Sequence, residues 1–176
     1  IQSCCPHIID GWKISAIDLD SLLIAIRIAT YGNIMEIEHI CSLIVDAAFK
    51  LHKDIGPGLL ESAYETILAA KLEDIGLVVD RQVPIDIQYE QVHLPAAFRV
   101  DLLVDKRIIL EIKSVERTLP VHAKQVITYL RLTNLTHGFV INFGTPMFKD
   151  GIKRLLNDRP SSVSSCLRAN QNGSAS

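Results

Sequence analysis

The order of apolar patterns along the chain predicts an α/β fold, a mixed β-sheet flanked by helices with elements in the order α-α-β-β-β-α-β-α. Three observations carry this expectation. Two helical repeats open the patterned region, three strand-like runs follow one another closely, and a further helical repeat separates the third run from a fourth. Three strands joined directly form a meander, and a helical crossover to another strand makes the sheet mixed.

Each element has its own signal. Ile37, Ile40, Cys41, Ile44, Ala48 and Leu51 recur at helical spacing, which predicts a helix from about Glu36 to Lys53. Gly56-Pro57-Gly58 stops it. A second helix is expected from about Leu59 to Ile75, with Leu60, Tyr64, Ile67, Leu68 and Ile75 on one face and Gly76 at C′. Val83–Tyr89 alternates Val83, Ile85, Ile87 and Tyr89 against polar partners, as a half-buried strand does. Ala97–Val104 and Ile108–Lys113 are denser in apolar residues and read as more buried strands. Pro120 opens a helix to about Leu132, with Val126, Ile127 and Leu130 facing the core. A strand over Gly138–Phe143 and a short last helix over Lys149–Asn157 complete the order.

The whole chain sets bounds on function. Its 176 residues suit one domain with a real core, and 48% apolar with 22% charged residues reads as soluble and globular. A formal net charge of −2 argues against a passive nucleic-acid coat, so phosphate binding must rely on local basic residues or a metal. Cys4, Cys5, Cys41 and Cys166 show neither a C-x-x-C pair nor zinc spacing, as expected of reduced thiols in a cytoplasmic protein. The run Ile14–Thr30 carries Asp18, Asp20 and Arg27, so neither a membrane span nor a signal peptide is expected there. The domain is expected to cover 35–158, preceded by an extension over 1–34 and followed by a disordered Ser/Asn/Gly-rich tail over 159–176.

Two strands carry the candidate chemistry. In the first, Phe98, Val100, Leu102 and Val104 share one face and Arg99, Asp101 and Leu103 the other; in the second, Ile109, Glu111 and Lys113 oppose Ile108, Leu110 and Ile112. If Val104 pairs with Ile108 around Asp105-Lys106-Arg107, the apolar faces coincide and Asp101 falls opposite Glu111. Their Cβ atoms would then be roughly 4.5–5.5 Å apart. Adjacent carboxylates repel, and one proton or one oxygen-ligated divalent cation resolves the conflict. By itself the pattern equally describes a cross-strand charge ladder on a wet sheet face. Glu61 sits in a helix's first turn, where the helix dipole favours it; Gln125 and Tyr129 share a helix face at i and i+4, with His122 nearby.

Together these residues resemble a family. GLLESAY at Gly58–Tyr64 is a G-x-x-E-x-x-Y signature, and the chain resembles the GxxExxY proteins of the PD-(D/E)XK nuclease superfamily. The likeness continues through RQVP at Arg81–Pro84, RVDLLV at Arg99–Val104, LEIKSVE at Leu110–Glu116, PVHAKQVITYL at Pro120–Leu130 and INFG at Ile141–Gly144. It implies a restriction-endonuclease-like core and a catalytic set of Asp101, Glu111 and Lys113. Glu61 matches the acidic residue of the first core helix and joins Asp101 and Glu111 as a metal ligand. Gln125 and Tyr129 resemble the Q-x-x-x-Y element of RecB-like nucleases and are assigned, with His122, to substrate contact or support. Val100 stands where the superfamily name has Pro.

The resemblance implies a metal-dependent nuclease that hydrolyses phosphodiester bonds of DNA or RNA. Ligands that are all oxygens favour Mg²⁺ (or Mn²⁺) over Zn²⁺. Lys113, beside two carboxylates, should stay protonated and serve electrostatically. A protein partner or homo-oligomer would help such an acidic chain hold nucleic acid. The alternative is a non-catalytic nucleic-acid-binding or assembly module that retains the site.

Overall fold

The computed structural model describes residues 35–158; the expected extension over 1–34 and tail over 159–176 lie outside the described residues. Helix α1 (Ile37–Ile55) buries Ile40, Cys41, Ile44, Ala47, Ala48 and Leu51 along one stripe, as the helical spacing requires. Helix α2 (Glu61–Asp74) buries Tyr64, Glu65, Leu68, Ala69 and Leu72. It ends at Gly76, whose φ of +89° lets Gly76 N–H reach Glu73 O and Leu77 N–H reach Leu72 O. These two bonds form a Schellman cap, so the expected C′ role of Gly76 holds.

Strands β1 (Val79–Tyr89), β2 (Val92–Val104) and β3 (Ile108–Lys113) form the antiparallel meander. Helix α3 (Pro120–Thr133) crosses over to β4 (His137–Asn142), which runs parallel to β3. The sheet order is β1-β2-β3-β4-β5, a mixed five-stranded sheet with helices against it, of the restriction-endonuclease-like kind. Helix α3 lies against β3 and β4 over a core of Val83, Ile85, Ile109, Val126, Leu130 and Val140. Helix α2 lies against β1, β2 and β3. Fully burying each aliphatic side chain of this kind contributes about 1.5–3 kcal/mol.

Two expectations about elements are corrected. The helix expected over Lys149–Asn157 is a single turn, α4 (Phe148–Gly151), followed by strand β5 (Ile152–Leu156) antiparallel to β4. Ile152, Leu155 and Leu156 fit helical spacing, but the open edge of β4 needs backbone partners, and that requirement decides the conformation. Lys153 and Arg154 keep the new edge charged and exposed. The β1–β2 hairpin is also longer than the apolar pattern predicts: Val92, His93 and Leu94 pair with Tyr89, Gln88 and Ile87, and all three are exposed, so burial imposes no alternation there. Among the described residues no helix is long and apolar enough to cross a membrane.

Candidate active site

The β2–β3 turn sets the site's register. Asp105 and Lys106 adopt positive φ, and Arg107 N–H closes the turn on Val104 O at 2.9 Å. Asp105 ties the turn to the start of β1, donating its N–H to Val78 O and accepting Val78 N–H at Oδ1, both at 2.8 Å. Val104 pairs with Ile108, Leu103 with Ile109 and Leu102 with Leu110, the register that the apolar faces demand. The ladder stops there. In its place the Asp101 carboxylate accepts Ile112 N–H at Oδ2, at 2.8 Å. A side chain thus takes the position of a strand partner, and it carries a negative charge beside Glu111.

Glu111 is the centre of the cluster and only 2% exposed. Its Oε1 accepts from Lys113 Nζ at 2.8 Å and from Gln125 Nε2 at 3.0 Å. Gln125 Nε2 also donates to Tyr129 Oη at 2.6 Å. The other oxygen, Oε2, is buried with no hydrogen-bond partner. An orphaned buried acceptor costs about 1–3 kcal/mol, more when charged. Burial and the charge of Asp101 push the Glu111 carboxyl above its ordinary pKa, outweighing Lys113. Burial raises Asp101 in the same way, with Glu65 adding to it against the Ile112 N–H and Lys113. Burial pulls Lys113 down, but its bond to Glu111 and the charges of Glu111, Glu61 and Asp101 outweigh that and hold it above the ordinary lysine range.

The G-x-x-E-x-x-Y signature has a structural reason. Gly58 takes φ +127°, a backbone conformation open essentially to glycine. Tyr64 Oη donates to Gly56 O at 2.6 Å and accepts Leu59 N–H at 3.2 Å, while its ring stacks on Phe143 at 4.5 Å. The loop is stapled, and α2 begins where Glu61 meets the end of β3. Glu61 Oε1 accepts Ser114 N–H at 3.2 Å, and its Oε2 lies 4.0 Å from Lys113 Nζ. Ser114 Oγ donates to Leu59 O at 2.6 Å, closing the contact from the other side.

The structure therefore brings Asp101, Glu111, Lys113, Gln125 and Tyr129 together, with Glu61 at the rim. Tyr129 shares the Gln125 face but is buried. It is 3% exposed, with its ring tilted against Phe98 at 5.1 Å and only its hydroxyl turned to Gln125. His122 is not joined to the cluster by any hydrogen bond. Its Nδ1 accepts Leu119 N–H at 3.3 Å and caps the start of α3. A second layer escaped the sequence reading: Glu65 on α2 with Arg81 and Gln82 on β1. Arg81 Nε and Nη2 grip Glu65 Oε1 at 3.1 and 3.0 Å, and Gln82 Nε2 donates to Glu65 Oε2 at 2.7 Å. Arg81 and Gln82 lie in RQVP, but nothing in that string says that they meet a helix.

Among the described residues no three His, Cys, Asp or Glu side chains form a ready ligand set for a metal. The pair Asp101 and Glu111 nevertheless suits a hard cation. Their donors are all oxygens, one of which is buried without a partner, and both carboxyls resist ionisation.

The fold and cluster define the class: an α/β domain that sets two carboxylates and a lysine on adjacent strands of a mixed sheet. The family model of the PD-(D/E)XK nuclease superfamily matches residues 38–155, and the chain belongs to that superfamily. No curated protein matches the chain. A solved structure described as "Crystal structure of SSO0001" is similar at 18% identity and a TM-score of 0.34, over 81% of this chain and 78% of that one. A likeness that loose adds nothing to the site.

Proposed function

We propose that the chain is a metal-dependent nuclease that hydrolyses phosphodiester bonds of DNA or RNA, of the GxxExxY group and with a RecB-like site. The observation that carries this is the buried carboxylate of Glu111, one oxygen held by Lys113 and Gln125 and the other left without a partner beside Asp101. Asp101 and Glu111 would hold Mg²⁺ or Mn²⁺, with Glu61 contributing from the rim. When bound, the cation supplies activation of water and relief of charge on the phosphate.

The chain's own residues do the rest. Lys113, kept protonated by its acidic neighbours, offers a fixed positive charge to the phosphate oxygens and is unsuited to serve as a base. Gln125 fixes Glu111, and the buried ring of Tyr129 fixes Gln125. His122 acts by starting α3, the helix that carries both. The cytoplasm is the compartment that fits this activity, and a partner or second copy would supply the basic surface that a chain of net charge −2 lacks.

The test is cleavage of single-stranded, double-stranded and branched DNA and of RNA with Mg²⁺ or Mn²⁺, with Lys113→Ala as control. Metal-dependent cleavage lost in that variant is expected. Metal binding without turnover on any substrate would establish the non-catalytic binding module instead.

A further inference from the structure

Gln82 occupies an improbable position for its residue type. On either side of it β1 pairs regularly with β2, Arg81 with Leu102 and Val83 with Val100. Gln82 itself, level with Asp101, takes φ +52°, the left-handed region that a glutamine side chain disfavours. Such a backbone persists only where surrounding contacts over-determine it, and strain of this kind gathers at functional sites.

The contacts that hold it are specific. Gln82 Nε2 donates to Glu65 Oε2 at 2.7 Å and reaches Asp101 Oδ1 at 3.4 Å. Glu65 is a fixed post, only 6% exposed and gripped by Arg81, whose Nη2 also donates to Thr66 Oγ1 at 2.8 Å. The two hydrogens of one primary amide thus span a buried carboxylate, Glu65, and a half-buried one, Asp101, and the amide does so without adding charge. A glutamate there would make a third carboxylate. The two arms are unequal. The amide is anchored on Glu65, while its long contact leaves Asp101 Oδ1 free to engage something stronger. Ile112 N–H holds the other oxygen of Asp101.

We propose that Gln82 is a positioning residue for Asp101: anchored on Glu65, its carboxamide fixes the orientation in which Asp101 would take up a divalent cation. This rests on the metal-site reading of Asp101 and Glu111. It also gives α2 two routes to the site, directly through Glu61 and indirectly through Glu65 and Gln82.

The test is Mg²⁺ affinity, read from the dependence of Tm on Mg²⁺ concentration and from calorimetric titration, for wild type, Asp101→Ala and Gln82→Gly. Asp101→Ala should abolish the Mg²⁺ response. Gln82→Gly should bind Mg²⁺ about ten- to a hundredfold more weakly, the loss typical of a removed partner of a metal ligand. Its metal-free Tm should change little, because glycine relieves the left-handed strain while losing the bond to Glu65. If Gln82→Gly fails to fold, Gln82→Asn takes its place with the same expected loss, because Asn tolerates the backbone but is too short to span both acids. Wild-type Mg²⁺ affinity in a folded Gln82 variant, with the response abolished in Asp101→Ala, overturns the positioning role alone. No Mg²⁺ response in the wild type overturns the metal-site reading and this inference with it.

Discussion

Replacing Lys113 by alanine separates a buried charge cluster from a surface charge ladder. The Lys113 side chain is 15% exposed and that of Glu111 is 3% exposed, so the 2.8 Å pair is largely shielded from solvent. Removing one partner of a buried pair costs about 3–5 kcal/mol, because the other charge is left uncompensated. Gln125 still donates to Glu111 Oε1, which places the expected cost near the low end, about 3 kcal/mol. For a domain of this size that is a fall in Tm on the order of 10 °C. The loss must also depend on pH. A carboxyl whose folded pKa is raised gives stability that is present below the ordinary carboxylate range and is lost as pH rises through the folded value. Glu111 is already raised by burial and Asp101, and losing Lys113 removes a force that lowers it. The gap between variant and wild type should therefore close in acid, where Glu111 is protonated, and be widest near neutrality. Added Mg²⁺ should narrow the neutral gap by standing in for the ammonium. Thermal melts from about pH 4 to about pH 8 check this, the range in which a raised carboxyl titrates. A fall of only a degree or two, equal at every pH, would reduce the pair to a solvated ladder worth less than about 1 kcal/mol.

Asp101→Asn removes a negative charge from beside Glu111 and keeps an acceptor for Ile112 N–H, so metal-free Tm should hold or rise. In wild type, saturating Mg²⁺ at about 100 times its Kd should add about 2.7 kcal/mol; Asp101→Asn should lose most of that gain in a thermal-shift titration. Tyr64→Phe should cost about 1–3 kcal/mol, since Oη serves both Gly56 O and Leu59 N–H at a buried position. Cleavage should fall with it through the displaced loop before Glu61, and an unchanged rate would show that the signature tyrosine has no part in placing Glu61.

Which parts of the site were legible depends on the range over which each is encoded. The register across Asp105–Arg107 follows from parity alone, because a one-residue slip would turn Leu110 and Ile112 away from the apolar face. Parity cannot say where a ladder stops, so the bond from Ile112 N–H to Asp101 had no sequence signal. Tyr129 was half legible. Its hydroxyl meets Gln125 at the spacing that i and i+4 dictate, but a ring with a polar tip can bury its body, and Phe98 offered the surface. Strand β5 is hidden in the sequence because Ile152, Leu155 and Leu156 satisfy a helical period, while the bare edge of β4 that captures them lies outside any local window. Gln82 is the extreme case. It lies just before the strand expected from Val83, and the groups that hold its side chain are Glu65, 17 residues away on another element, and Asp101 on the next strand. A residue whose local preference is overridden by acids on two other elements, buried Glu65 and half-buried Asp101, has a conformation that emerges only once helix α2 is packed on the sheet.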